Sequence, residues 1–241
     1  MSNMTRHVSV RKYTGEAIDP ELLEQVLRCG QAASSSSFIQ AYSVVRVVDE
    51  QNRQRIAEAA GNQRWIVEAA EFLVFCADML RIDACCRKAG QGELEGYTEH
   101  FITATVDTAL MAQNALLAAE SLGLGGVFIG GIRNSPQVVA DCLQLPRHVY
   151  PAFGMCLGWP EQRYQHKPRM PLDSILHQDH YRGENIEQQL TDYDQEMAAY
   201  YAERQANAKV SDWSSQTAQA VQGKKREHML DFLQQRGFLL R

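Results

Sequence analysis

The chain has 241 residues, 45 % of them hydrophobic and 22 % charged, with a formal net charge of −5. That length holds one large domain or two small ones, and the acidic balance argues against sequence-independent binding to nucleic acid, which needs a basic surface. No apolar run reaches the roughly 18–20 residues that cross a bilayer, and residues 1–20 are polar and mixed in charge, so no signal peptide is expected.

Near the N-terminus, His7-Val8-Ser9-Val10-Arg11 alternates polar and apolar residues. In an extended segment, side chains two apart share a face. His7, Ser9 and Arg11 are therefore expected to converge on one anion, with Val8 and Val10 turned to the core; a solvated N-terminal strand is the plainer reading. Next, Asp19-Pro20 before Leu22, Leu23, Val26 and Leu27 predicts a capped helix with Gly30 as its stop. Ser34 to Ser37 follows, either a plain loop or a row of hydroxyl and backbone donors for a polyol or phosphate. Ser43 to Val48 is β-branched and predicts a strand. Glu50 to Ala60 predicts a helix stopped by Gly61, and Glu71 to Cys76 a second strand.

Thr98 to Leu122, ended by Gly123, is the longest expected helix. Its apolar residues fall on nearly every side, from Phe101 and Ile102 to Leu117 and Ala118. A helix apolar all round is buried, which suggests a central helix open to sharing with a partner subunit. Gly126 to Ile129 predicts a third strand, bracketed by glycine pairs in Gly125-Gly126 and Gly130-Gly131. Glycine there signals two tight turns or close approach of the backbone to a ligand. Ser135-Pro136 opens a short helix that Pro146 closes, and Ala152 to Leu157 is the fourth strand. Residues 159–185 read as an extended surface crossing. Within it, Lys167-Pro168-Arg169 holds two cations on a stiff link, either a surface charge pair or an anion contact. Gln188 to Gln205 and Arg226 to Gln235 predict the last helices. Interleaved helices and strands give an α+β or mixed α/β class, a small sheet wrapped by helices, with strand order left open.

Six cysteines, Cys29, Cys76, Cys85, Cys86, Cys142 and Cys156, form no CxxC pair and lack zinc-ligand spacing. All but Cys85 and Cys86 lie in apolar stretches, where a thiol acts as a small hydrophobe. No metal is expected, and the usage fits a reducing, cytoplasmic setting. No Rossmann GxGxxG is present: Gly123 to Phe128 fails at its last position and follows a helix rather than a strand. No Walker A, GxSxG or HExxH motif supports a kinase or hydrolase. The four polar clusters together suggest an anionic, partly aromatic ligand with the makeup of a flavin mononucleotide.

These residues, in order, resemble the FMN-containing, oxygen-insensitive NADPH nitroreductases and the related NADPH–flavin oxidoreductases. The resemblance rests on His7-Val8-Ser9-Val10-Arg11, Ala33 to Ser37, Gly61-Asn62-Gln63, Met111 to Asn114, Ala118 to Gly126, Ile129-Gly130-Gly131, Leu157-Gly158, Lys167-Pro168-Arg169, Tyr200 to Arg204 and Trp213-Ser214. It runs nearly end to end. It implies a single nitroreductase-like domain over 1–241, with a C-terminal extension from about 186, in an intertwined homodimer with FMN at the interface. By that resemblance His7, Ser9, Lys167 and Arg169 hold the FMN phosphate and Arg11 lies near the ring. Ser34, Ser35 and Ser36 line the ribityl chain, and Gln63 meets the pyrimidine edge. Phe128, Ile129, Gly130 and Gly131 pass under the flavin, which itself carries the reaction. Phe38, Glu99, Arg133 and Arg226 border its open face, and Arg204, Lys209 and Arg226 meet the NADPH 2′-phosphate.

The chain departs from the family pattern in four places. Val8 stands where the family has arginine, Phe128 where it has tyrosine and Val210 where a basic residue is common, and the segment from Arg81 to Glu95 is longer. The implied activity is ping-pong, two-electron reduction of nitroaromatics, quinones or related acceptors by NADPH. Two alternatives remain: a dedicated flavin reductase supplying reduced FMN, and a flavin-binding dimer without turnover.

Overall fold

Alternating burial sets the two faces of the sheet. In β2 (Glu71–Asp78) all eight residues are buried, the pattern of a strand covered on both sides. Phe72, Val74 and Cys76 enter one apolar cluster, and Leu73 and Phe75 enter another. β4 (Val149–Gly158) splits likewise, with Cys156 on the first face and Met155 and Leu157 on the second. With β1 (Tyr42–Arg46) and β3 (Gly125–Ile129) they form a four-stranded sheet of order β1-β2-β4-β3, antiparallel throughout. A register shift between Phe75 and Cys76 marks a bulge in β2. The structure, a computed structural model, describes residues 2–162, 165–203, 211–223 and 225–241.

Helices cover both faces. α2 (Pro20–Gln31) and α6 (Thr98–Ser121) pack on one. α3 (Glu50–Ala59), α4 (Trp65–Glu68) and α7 (Pro136–Cys142) pack on the other. The expected cap at α2 is present, with the Asp19 carboxylate accepting from the Glu21 N–H at 2.8 Å. Gly30, however, does not stop α2. It lies inside the helix, where a Cβ would come within 3.0 Å of Ala115 Cβ and the Met111 carbonyl. It is the contact point of α2 with α6, because only glycine lets the two backbones approach this closely.

α6 also corrects its expectation. Its buried face carries Ala104, Thr108, Met111, Ala112, Ala115, Leu116 and Ala119. A second apolar row, Ile102, Val106 and Leu110, is 47, 50 and 44 % exposed in the protomer. Periodicity marked the whole helix for burial; the single chain buries one side of it.

The four expected strands are all present, while α1 (Ser2–Thr5), α4, α5 (Leu80–Lys88) and α9 (Trp213–Gln222) were not anticipated. α5 gives the long 81–95 segment a structural account. Buried Asp83 accepts the Leu94 N–H at 2.8 Å and lies 2.8 Å from Arg87 Nη1, folding the loop back on the helix. α10 (Met229–Gln235) begins three residues after its expected start at Arg226. It places Phe232 and Leu233 in a third apolar cluster with Tyr150 and Phe238. Cys76, Cys142 and Cys156 are buried, and Cys29, expected in apolar surroundings, is exposed. No helix among the described residues is long and apolar enough to cross a membrane.

The chain divides into two compact units, Met1–Tyr164 with Arg226–Arg241, and Gln165–Lys225. The extension expected from about 186 thus starts inside the second unit and ends in the first. In the second unit α8 (Ile186–Glu203) contributes Tyr193, Met197 and Tyr201 to a small core that includes Trp213 of α9. Asp212 caps α9, accepting the Ser215 N–H at 2.7 Å.

Candidate functional site

The 7–11 segment belongs to no helix or strand and is anchored at Val10. The Val10 N–H donates to the Gly126 carbonyl at 2.9 Å, and Tyr13 Oη donates to the Val10 carbonyl at 2.8 Å. Val10 is 3 % exposed, and Val8, expected in the core, is only half-buried. A Cβ on Gly125 would lie 2.5 Å from Val10 Cγ2, and one on Gly126 2.8 Å from Leu157 Cδ2. This first glycine pair therefore admits the protein's own side chains, not a ligand. The polar residues of the segment part company. His7 Nδ1 lies 2.5 Å from Glu120 Oε1 at the end of α6, while the Arg11 guanidinium stacks 5.8 Å from the centre of the Trp65 ring on α4. Ser9 lies between them, half-buried.

The serine loop is held by a residue the sequence reading missed. Asp107, buried in α6, accepts the Ser36 N–H at 2.8 Å and the Ala41 N–H at 3.1 Å, one with each oxygen. Between those anchors Ser37, Phe38 and Gln40 sit in the left-handed region, at φ 46°, 57° and 53°. L-residues there carry strain that the surroundings must offset. Ser34 and Ser36 are exposed, Ser35 Oγ accepts the Gln40 N–H at 3.3 Å, and Phe38 is 81 % exposed. A lone carboxylate within an apolar helical run was the available signal for Asp107.

The second glycine pair differs from the first. β3 ends in a 3₁₀ turn, Gly130–Asn134. Gly130 lines a cavity of about 390 Å³ with Ala109, Gln113, Phe128, Arg133 and Phe153. Phe128 and Phe153 meet edge to face at 5.3 Å and give the cavity an aromatic wall. A Cβ on Gly130 would meet only the flexible end of Arg133, at 3.1 Å. Gly131 is tighter: a Cβ there would run into Gln63 Nε2 and lie 2.5 Å from the Ala60 carbonyl. Gln63 Nε2 donates to that carbonyl at 2.8 Å, which presents its Oε1 as an acceptor. Ile129 is 1 % exposed, so only its main chain is available to a ligand.

Two arginines edge this region. Arg133 Nη1 donates to the Ala152 carbonyl at 2.5 Å. Burial first, and then the adjacent Arg226 guanidinium, lower the Arg133 pKa from the usual arginine value; the group stays cationic at neutral pH. Arg226, at φ 46°, donates to the Gly130 carbonyl at 3.1 Å and to Asn134 Oδ1 at 2.9 and 3.0 Å. The structure thus brings together Gln63, Phe128, Gly130, Gly131, Arg133 and Arg226. Glu99 is exposed, accepting from Thr103 Oγ1 at 3.2 Å. It lies roughly 15 Å along α6 from Ala109 at 1.5 Å per residue and is not in the cavity wall of the protomer.

In the second unit Lys167 and Arg169 are exposed. Lys167 Nζ lies 5.3 Å from the Tyr201 ring centre, and the Pro168 carbonyl between them accepts from Tyr193 Oη at 3.0 Å. Arg204, Lys209 and Val210 lie outside the described residues.

A small antiparallel sheet with helices on both faces, and a cavity walled by phenylalanines and edged by a bare glycine and arginine, define an α+β protein suited to a flat, anionic ligand. The chain belongs to the nitroreductase family. The Nitroreductase family domain matches residues 4–159, and the Nitroreductase family C-terminal domain matches residues 167–241. The NADPH-flavin oxidoreductase of Vibrio harveyi is 44 % identical over 235 residues, which cover 98 % of this chain and 96 % of that one. The oxygen-insensitive NADPH nitroreductase of Salmonella typhimurium is 40 % identical with the same coverage. The fold matches the structure of NADPH:FMN oxidoreductase from Vibrio harveyi complexed with NAD+ at a TM-score of 0.89 and 40 % identity. That match covers 100 % of this chain and 98 % of the other.

Proposed function

We infer that this chain is an NADPH-dependent FMN oxidoreductase that reduces nitroaromatics, quinones, free flavin or related acceptors by two electrons in a ping-pong cycle. The observation that carries this is the cavity beside Gly130 and Gly131, with an aromatic wall, a bare glycine, an amide acceptor and paired arginines in one family-matched region. These residues suit FMN. Gly130 leaves room for a ring against the main chain, and Gln63 Oε1 is an acceptor for an imide N–H. His7 and Ser9 bring an imidazole and a hydroxyl for the phosphate.

FMN, when bound, supplies the hydride-accepting and electron-donating chemistry; the chain binds and orients. Arg11 and Arg133 would supply positive charge beside the flavin ring. Ser34, Ser35 and Ser36 supply hydroxyl and main-chain donors, on a loop held by Asp107. The Phe128 and Phe153 rings exclude water from one side of the cavity. Arg226 meets the 2′-phosphate of NADPH, with its guanidinium held by Asn134, and Lys167 and Arg169 are phosphate cations by the same family pattern.

The exposed row Ile102, Val106 and Leu110 supports a homodimer paired through α6, with Glu99 and Phe38 reaching the open face from that pairing. Free, unpaired thiols support a cytoplasmic setting. The test is the absorption spectrum of the purified protein, with anaerobic NADPH added. A flavin band that bleaches, and returns when a nitroaromatic or quinone is added, is expected. A band that NADPH leaves untouched overturns the enzyme reading, and no band overturns the cofactor.

A further inference from the structure

We propose that Glu120 is a positioning residue for the cofactor phosphate, acting through His7. The proposal rests on the reading of His7 as a phosphate ligand. Glu120 sits in the last turn of α6 (Thr98–Ser121), where the negative end of the helix dipole disfavours a carboxylate. Its side chain is 12 % exposed, and its Oε2 is buried with no hydrogen-bond partner. A carboxylate placed against the dipole, buried and half-satisfied, is costly unless a cation meets it. Among the described residues its ion-pair partner is His7, whose Nδ1 lies 2.5 Å from Oε1.

That contact decides what the other ring nitrogen can do. A carboxylate only accepts, so Nδ1 carries a proton. Nε2 has no partner among the described residues, and it can donate to a phosphate oxygen only when the ring carries its second proton as well. In that doubly protonated form the ring bridges a buried carboxylate to an anion, and Glu120 orients it and balances its charge. Three residues on, the Val10 N–H donates to the Gly126 carbonyl and ties down the segment that carries His7.

The test uses the full-length, FMN-loaded protein and the variants His7→Ala, Glu120→Gln and the double variant, each also reconstituted with riboflavin, which lacks the phosphate. Flavin release on serial dilution is read by fluorescence, and the bound phosphate by its ³¹P resonance. Glu120→Gln is expected to weaken FMN about tenfold, the difference between a charge-assisted and a neutral bond. It should leave riboflavin unmoved and shift the ³¹P resonance. The double variant should bind FMN no worse than His7→Ala alone. If His7→Ala leaves FMN release unchanged, the reading of His7 as a phosphate ligand fails and the proposal falls with it. If His7→Ala weakens FMN but Glu120→Gln leaves it unchanged, tightens it, or weakens riboflavin equally, the His7 reading stands and the Glu120 proposal is overturned.

Discussion

Replacing Asp107 by alanine should open the serine loop while the sheet stays folded. In the native protein its two oxygens each accept one backbone N–H, from Ser36 and from Ala41, and Asp107 itself is 1 % exposed. A hydrogen bond to a charged acceptor is worth about 1.5–3 kcal/mol; the Ala41 N–H, on a residue 0 % exposed, has no water to turn to, while that of exposed Ser36 does. Losing both therefore costs about 3–6 kcal/mol. Within the loop the Ile39 N–H donates to the Ser36 carbonyl and the Gln40 N–H to Ser35 Oγ, against left-handed strain of about 1–3 kcal/mol at each of Ser37, Phe38 and Gln40. The cheapest response is local opening of residues 34–40. Chymotrypsin reads this directly, because Phe38 is the exposed aromatic at the loop tip. When opening is fast relative to cleavage, the rate follows the open population. A 3 kcal/mol shift then raises cleavage at Phe38 about a hundredfold. Asp107→Asn keeps one acceptor oxygen and should fall between wild type and Asp107→Ala. Unchanged cleavage at Phe38 in folded Asp107→Ala would refute the argument, because it would mean the loop holds itself.

Three further outcomes follow from the same geometry. Gly131→Ala drives a Cβ to 2.5 Å from the Ala60 carbonyl, while in Gly130→Ala it meets only the movable end of Arg133. Overpacking against backbone costs about 1–3 kcal/mol, so Gly131→Ala should melt several degrees lower than Gly130→Ala and retain less FMN; equal melting temperatures would count against the placement of Gln63. Arg226→Ala should raise the KM for NADPH about ten- to a hundredfold, as loss of a charge-assisted phosphate contact implies, and change that for NADH far less; equal effects would show that Arg226 serves only Gly130 and Asn134. Burial pushes the His148 pKa below 6.5, with Asp83 and Glu93 opposing and Arg147 and Arg87 assisting. In the unfolded chain the ring titrates near 6.5, so as pH falls below that value the unfolded state takes up a proton the folded state refuses, and stability declines. His148→Asn, which tolerates the native φ of 65°, should lose less melting temperature between about pH 7.5 and 5.5; parallel losses would exclude His148 as the source.

Periodicity made the strands and the long helices legible, because burial imposes period 2 or 3.6 directly on residue type. It missed α5 and α9, which are nine and ten residues long and give an apolar face few turns over which to repeat, and α4, which is four residues long. Gly30 misled for a different reason. Glycine after a helical run has two uses, as a stop and as a close contact, and only the position of α6 opposite it selects the second. At the site, the residues with unusual composition were visible: the histidine–serine–arginine alternation, the serines and the glycine pairs. The residues that position them, Asp107 and Glu120, were not, because their partners, the Ser36 and Ala41 N–H groups and His7, lie 66 to 113 residues away in the chain.

The two glycine pairs show how far identical dipeptides can diverge in role, and what strand β3 accomplishes between them. Gly125 and Gly126 at its start admit Val10 and so fix the segment that carries His7 and Ser9. Gly130 and Gly131 beyond its end face the cavity and Gln63. Four residue steps lead from Gly126 to Gly130, roughly 13 Å at 3.3–3.4 Å per step of extended chain. β3, paired antiparallel with β4 along its whole length, spaces the backbone that holds the 7–11 segment from the backbone that edges the cavity. Under the proposed function, a ligand reaching from His7 and Ser9 to this cavity is charged at one end and flat at the other, as a phosphate on a ribityl chain carrying a flavin is.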